Sequence, residues 1–295
     1  MNKRKLGDIE VSEIGIGTMA FSHGYGKIPD EQYSIEAIRE AYDNGCTFFD
    51  TAEVYSPNLQ GIGHNELIVG KALKDVRDKV VIATKLFLKA SEVENGDVYS
   101  AIKKHLLGSM ERLQVKMVDL YYLHRLSDVP LEEIAKAHNI TPVSAIQNLY
   151  NIFERDSEEK VLPYCLKNNI GFVPFSPIAS GLLSGKITTK TEFEKVDDVR
   201  NWVPQLKKEN IEGNKPIVDL VQKLAEKKGA TPAQISLAWM LKKYPNLVPI
   251  PGSKNKGRIK ENLDAHKVVL TDEELTEFEN ELKKLKVYGH RGLNH

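Results

Sequence analysis

Seven short runs rich in β-branched and aromatic residues punctuate the chain: EIGIG (13–17), CTFFD (46–50), VVIAT (80–84), VDLYYL (118–123), SAIQNL (144–149), GFVPF (171–175) and LVPI (247–250). Between them lie stretches with apolar residues at i, i+3 and i+4, such as EQYSIEAIREAYDNG, NELIVGKALKD, DVYSAIKKHLLGSMERLQ and SEEKVLPYCLKNN. The first pattern suits strands and the second amphipathic helices. Their repeated alternation predicts a parallel sheet covered by helices. Ahead of the first run, KRKLGDIEV reads as a small hairpin closed by Gly7-Asp8. No linker or shift of composition divides the 295 residues, so one domain over residues 1–295 is expected.

Forty-one basic residues balance forty-one acidic ones, which favours neither nucleic acid nor an anionic membrane as partner. The start, MNKRKLGDIEVSEIGIG, lacks the apolar core of a signal peptide, and no apolar run is long enough to span a bilayer. Cys46 and Cys165 have no metal or redox spacing and are expected as small buried thiols in a reducing, cytoplasmic compartment. The sequon Asn139-Ile-Thr141 is read as accidental for the same reason.

Chemistry gathers where the strands end. Asp50, Lys85 and His124 each close or follow a strand-like run, and Tyr55 comes shortly after Asp50. In parallel α/β proteins the carboxyl ends of the strands hold the active site. A phenol ordinarily titrates near ~10 and gives up its proton reluctantly. An ammonium beside it favours the phenolate, a carboxylate keeps that ammonium charged, and an imidazole can orient a carbonyl by a hydrogen bond. Together the four can protonate an alkoxide as hydride reaches the carbonyl carbon. No metal-ligand set and no activated Ser or Cys competes. Each residue alone has a plainer explanation, as a turn cap, loop packing, a solvated strand end or a half-buried histidine; their order along successive strand ends carries the argument. The polar, irregular segment from Ile187 to Asn214, with Trp202 its main apolar member, is either a lid or a surface loop.

The segments GIGTM, FFDTAEVY with NELIVGKAL, KVVIATK, RLQVKMVDLYYLHR, GFVPFSPIASGLLSGK and IPGSKNKGRIKEN resemble the aldo-keto reductase superfamily, from residue 3 to about residue 285. The resemblance implies a (β/α)8 TIM barrel with a β-hairpin plugging its amino end. It implies NADP(H)-dependent reduction of aldehydes or ketones without a metal. Tyr55 becomes the proton donor, Lys85 and Asp50 its tuning pair, and His124 the carbonyl-orienting residue. IPGSKNKGRIKEN opens a helix, and a helix amino end with Ser253, Lys254 and Arg258 makes a site for a phosphate dianion. The plainer reading is a solvated helix start. The family pattern puts the 2′-phosphate of NADP there, with Glu261 and Asn262 towards adenine. It puts Phe175 against the nicotinamide, Gln147 on the carboxamide, Ser176, Pro177, Ile178, Gly181 and Lys186 along the pyrophosphate, and Gly17 and Thr18 at the first strand end. Gly252 stands where the family often has lysine; Lys254 is expected to compensate, which favours NADP over NAD.

Two other readings compete. Gly15-Ile-Gly17-Thr-Met-Ala20 fits the Rossmann fingerprint, but AFSHGYGKIPD, with two glycines and a proline, cannot open the required helix. Potassium-channel beta subunits resemble the same superfamily, so a nucleotide-binding, redox-sensing module with little turnover is the alternative. The substrate is not named by the sequence; Met19, Phe21, Phe87 and Trp202 are candidate pocket walls.

Seven strands are one short of a barrel. Nineteen residues lie between His124 and Ser144, room for one crossover helix and nothing more. In the resembling family a helix, a strand and part of another helix fill this interval. The fifth strand is therefore missing, roughly thirty residues with its flanks, and with it two polar residues that clamp the carboxamide. The seam is expected between Pro130 and Ala137. Either the protein contains a segment that this sequence lacks, which the intact motifs favour, or the barrel closes with seven strands or stays open. A Cα step much beyond about 3.8 Å in residues 130–137 marks the first case. Unbroken spacing with VDLYYL and SAIQNL paired directly marks the second.

Overall fold

The computed structural model describes the chain apart from residues 58–59, 95, 125–130 and 292–295. In chain order the elements are β1 (Lys3–Leu6), β2 (Ile9–Ser12), β3 (Ile16–Gly17), α1 (Glu31–Asp43), β4 (Phe48–Asp50), α2 (His64–Leu73), β5 (Val81–Leu86), α3 (Ala90–Glu94), α4 (Val98–Leu113), β6 (Leu120–Leu123), α5 (Leu131–Ile140), β7 (Ala145–Leu149), α6 (Val161–Lys167), β8 (Gly171–Phe175), α7 (Lys208–Gly213), α8 (Lys215–Lys228), α9 (Pro232–Lys243), α10 (Lys256–Leu263) and α11 (Asp272–Leu282).

Local chemistry sets many of the boundaries. Asp30 caps α1 by accepting from the Tyr33 N–H, and Ala37, Ile38 and Ala41 form its buried stripe. Thr231 with Gln234, and Thr271 with Glu274, close reciprocal capping boxes on α9 and α11. No helix among the described residues is long and apolar enough to cross a membrane.

β3, β4, β5 and β6 form one parallel sheet, and β7 and β8 another. Residues 246–252 join the two sheets. Gly15 and Gly17 donate to the carbonyls of Pro249 and Pro251, while Val248 and Ile250 donate to those of Phe172 and Pro174. LVPI therefore stands in a strand's place without a regular ladder, because Pro249 and Pro251 have no N–H to give. The staves run β6-β5-β4-β3, residues 246–252, then β8-β7. Phe48, Ala83, Leu120, Tyr122, Ala145, Val173, Val248 and Ile250 fill the interior with Leu6 and Val11 of the β1–β2 hairpin, which plugs it as expected. A Cβ on Gly171 would lie 2.3 Å from the Leu6 side chain, so glycine permits that approach.

The eighth position is open. Among the described residues β6 pairs only with β5 and β7 only with β8. α5, which enters this interval, buries no residue, and Ile140 is 86 % exposed. An amphipathic helix whose apolar residues are at most half-buried is what a missing neighbour leaves behind. Residues 131–137 form one continuous helix, so no long step marks the seam there, and Pro130 lies outside the described residues. Nor, among the described residues, do the flanking strands pair directly.

Candidate active site

Parallel pairing puts the strand ends on one rim. Asp50 is the last residue of β4, Lys85 lies opposite Tyr122 near the end of β5, and His124 follows β6, its N–H bonded to the Leu86 carbonyl at 2.8 Å. The turn after β4 is tied to β5 by Thr51 N–H to Ala83 O and Glu53 N–H to Lys85 O, which brings Tyr55 over the rim.

The four predicted residues meet. The Lys85 ammonium donates to Asp50 Oδ1 at 2.5 Å, to the Thr51 carbonyl at 2.7 Å and to Tyr55 Oη at 3.4 Å. The rings of Tyr55 and His124 meet edge to face, centroids 5.8 Å apart. Asp50 and Lys85 are each 2 % exposed, whereas Tyr55 and His124 are half-buried. Burial pushes the Asp50 carboxyl up, opposed by Lys85 and by the amide of Gln147. Burial alone would lower Lys85; the Asp50 carboxylate and the Tyr55 oxygen outweigh it and hold the ammonium above its ordinary value. The result is an ammonium held in its charged form beside a half-buried phenol.

Sequence reasoning passed over the residues that hold this arrangement. Asn65, buried in the first turn of α2, donates to the Thr18 carbonyl and Ser22 Oγ, and its Oδ1 accepts from Thr18 and Thr51. Glu53, 1 % exposed, accepts from the Phe87 N–H at 2.6 Å and lies 2.8 Å from His105 Nδ1. Glu66 accepts from Thr84 and pairs with Arg112 at 2.6 Å. For Asn65 and Glu66 the signal available was polar residues standing where the periodicity of α2 asks for apolar ones; Glu53, in the turn after β4, carried none.

The expected cofactor residues divide. Ser176, Ala179, Ser180 and Gly181 follow β8 with φ of +51°, +47°, +54° and +99°. Three non-glycine residues in that region carry about 1–3 kcal/mol of strain each, a cost that persists where a tight loop serves a site. Such backbone forms concavities that suit anions, so this loop fits a diphosphate. α10 is capped by Asn255, whose Oδ1 accepts from Arg258 N–H at 3.0 Å; the first-turn N–H groups of Lys256 and Gly257 have no carbonyl one turn back. Ser253 and the exposed Arg258 flank that helix start, which fits a phosphate. Gly17 and Gly252 face each other in a parallel bridge. Phe175 ends β8 half-buried, Pro177 and Ile178 lead into the left-handed loop, and Lys186 is exposed beyond it.

Other residues are engaged elsewhere. Gln147 donates to Asp50 Oδ2 at 2.8 Å, reaching the tetrad from β7. Thr18 is fully buried against the Asp50 carbonyl. Glu261 accepts from the Thr231 hydroxyl, and Asn262 is buried. The Lys254 ammonium donates to the carbonyls of Tyr25 and Lys27, so in this conformation it fastens the loop after β3 rather than replacing the lysine absent at Gly252. The long segment after β8 docks on that same loop through His23 and Asp197 at 2.6 Å, with the Arg200 guanidinium stacked against Tyr25 and Phe193. Of the candidate pocket walls, Phe21 belongs to the core, while Phe87 and Trp202 are exposed. Both cysteines are buried free thiols, each pushed up to about 12 by burial.

Likeness to known proteins bears on the whole chain. The family model described as "Aldo/keto reductase family" matches residues 13–137 and again 126–282. The probable aldo-keto reductase 1 of Glycine max is 34 % identical over 329 aligned positions, covering 99 % of this chain and 92 % of that protein. The glycerol dehydrogenase of Gluconobacter oxydans superposes with a TM-score of 0.80 at 28 % identity, over 96 % of this chain and 95 % of its own. An aldo-keto reductase of Klebsiella pneumoniae, solved in complex with NADPH, gives 0.66 at 24 % identity over 95 % of both chains. The 329 aligned positions exceed the 295 residues, so at least 34 positions of the soybean protein face no residue here. The two family matches meet at residues 126–137, beside the open slot between β6 and β7. Likeness over nearly the full length, in a barrel of the family's kind lacking one stave, leaves one conclusion: the chain belongs to the aldo/keto reductase family.

Proposed function

We propose that this protein reduces aldehydes or ketones to alcohols with NADP(H), Tyr55 donating the proton. The carrying observation is the Lys85 ammonium, held at once by Asp50, Thr51 and Tyr55. NADP(H), when bound, supplies the hydride. The substrate carbonyl takes its place between Tyr55 and His124, whose N–H orients the oxygen. As negative charge develops there, the Tyr55 hydroxyl gives its proton to that oxygen. The phenolate left behind is stabilised by Lys85, whose charge the buried Asp50 carboxylate maintains. The left-handed loop after β8, Ser253, Arg258 and the start of α10 are the residues proposed to hold the dinucleotide. The NADPH complex of the Klebsiella fold neighbour agrees with this choice of cofactor.

One observation favours a second reading, a nucleotide-binding module with little turnover. The slot between β6 and β7 removes the stave expected to help clamp the carboxamide, and Gln147 is turned onto Asp50. Oxidation of NADPH by the purified chain, screened against aldehydes, ketones, sugars and glycerol-derived carbonyls, separates the two. Substrate-dependent oxidation supports the reductase; NADPH binding without it supports the module.

A further inference from the structure

The C-terminal segment is strapped to the barrel by contacts that the catalytic reading does not use. The buried Asn214 donates from Nδ2 to the Tyr288 carbonyl at 2.8 Å and accepts the Tyr288 N–H on Oδ1 at 3.0 Å. Gly289 has φ of +73°, and a Cβ there would lie 2.8 Å from the Pro204 carbonyl, so the bend requires glycine. The Arg291 N–H then bonds Glu154 Oε1 at 2.5 Å; Glu154 is buried and also accepts from the Gln205 amide.

These anchors deliver one side chain to one place. The Arg291 guanidinium donates to Ser176 Oγ at 2.7 Å, reaches Ser180 Oγ at 3.5 Å, and lies 5.9 Å from the centre of the Phe175 ring. Ser176 and Ser180 belong to the left-handed loop after β8. A guanidinium carries five N–H donors in a planar fork. Phosphate oxygens are stronger acceptors and match the fork in geometry.

We propose that Arg291 is a ligand of the dinucleotide diphosphate, carried into the cleft by the C-terminal strap. The inference rests on the cofactor reading above. Because both NADPH and NADH contain the diphosphate, Arg291 serves affinity for either, in contrast to Arg258, whose proposed role is toward the extra phosphate of NADPH alone.

Equilibrium titration of the full-length protein with NADPH and with NADH, free of substrate, tests this. Arg291→Gln should weaken both by the same ~10–100-fold, the scale of a hydrogen-bonded charge, without lowering the melting temperature of the cofactor-free protein. Arg291→Lys should recover part of the loss. Inorganic pyrophosphate should compete with NADPH on the wild type and much less on Arg291→Gln. Unchanged affinity in Arg291→Gln, or tighter binding through removal of a blocking group, overturns the proposal while leaving the cofactor reading intact. Equal loss in Arg291→Lys with a lowered melting temperature also overturns it, as a structural role. Failure of the wild type to bind NADPH overturns both readings.

Discussion

Lys85 is the residue on which the proposed chemistry turns. It is buried, charged and shared between a carboxylate and a phenol. Lys85→Met should therefore act twice. Removing the ammonium leaves the Asp50 carboxylate buried without its partner, a cost of about 3–5 kcal/mol, and leaves the Tyr55 phenolate unsupported, lowering kcat by ~100-fold or more. The double variant Lys85→Met/Asp50→Asn should recover most of the melting temperature and none of the rate; recovery of both would make the pair purely structural. Arg258→Ala should weaken NADPH far more than NADH in a binding titration, whereas equal loss would mean that Arg258 supports the fold. Asp50, Tyr55, Lys85 and His124 were legible in sequence because each stands at or just past a strand end, where residue type suggests a role. Asn65, Glu53 and Arg291 were not, because their partners lie far along the chain: Arg291 meets Ser176 across 115 residues.

At the scale of elements, hydrophobic periodicity read the strands and helices well, and turn chemistry read the hairpin. LVPI was the exception, since its prolines keep the position of a strand and lose its ladder. α4 carries a consequence for pH. His105 lies on it between Glu53, behind the rim, and Glu92 of α3, with Arg112 of α4 3.8 Å from the same Glu53 carboxylate. Burial lowers the affinity of His105 for a proton, but its bonds to Glu53 and Glu92 outweigh that and raise it above the ordinary 6.5. The folded state thus holds the proton more tightly than the unfolded chain. The stabilisation is fully present below pH 6.5 and is lost as the pH rises through the raised value. The melting-temperature difference between wild type and His105→Gln should be largest in mildly acidic buffer and shrink on the alkaline side. A difference that grows with pH would refute the assignment of charge.

Over the whole molecule, parallel strands covered by helices were legible from alternation, and the count of strand-like runs located where the barrel implied by the resemblance falls short. What the sequence left open was how the chain responds: among the described residues β6 and β7 do not pair, and α5, which lies between them in sequence, has no fully buried residue. Open ladder edges favour pairing with other chains. If the protein contains a segment that this sequence lacks, as the intact motifs favour, its intact mass from the natural source exceeds that of the 295-residue chain. A mass equal to the 295-residue chain means a true deletion, and the open barrel should then self-associate in light scattering. Through either outcome the rim of Asp50, Tyr55, Lys85 and His124 is intact, and the account stands on it. The most direct test is single-turnover reduction of a reactive aldehyde by NADPH bound to wild type and to Tyr55→Phe, with NADPH affinity measured in parallel. The account predicts unchanged NADPH binding and a rate at least ~100-fold lower in Tyr55→Phe; reduction by Tyr55→Phe at the wild-type rate would contradict it.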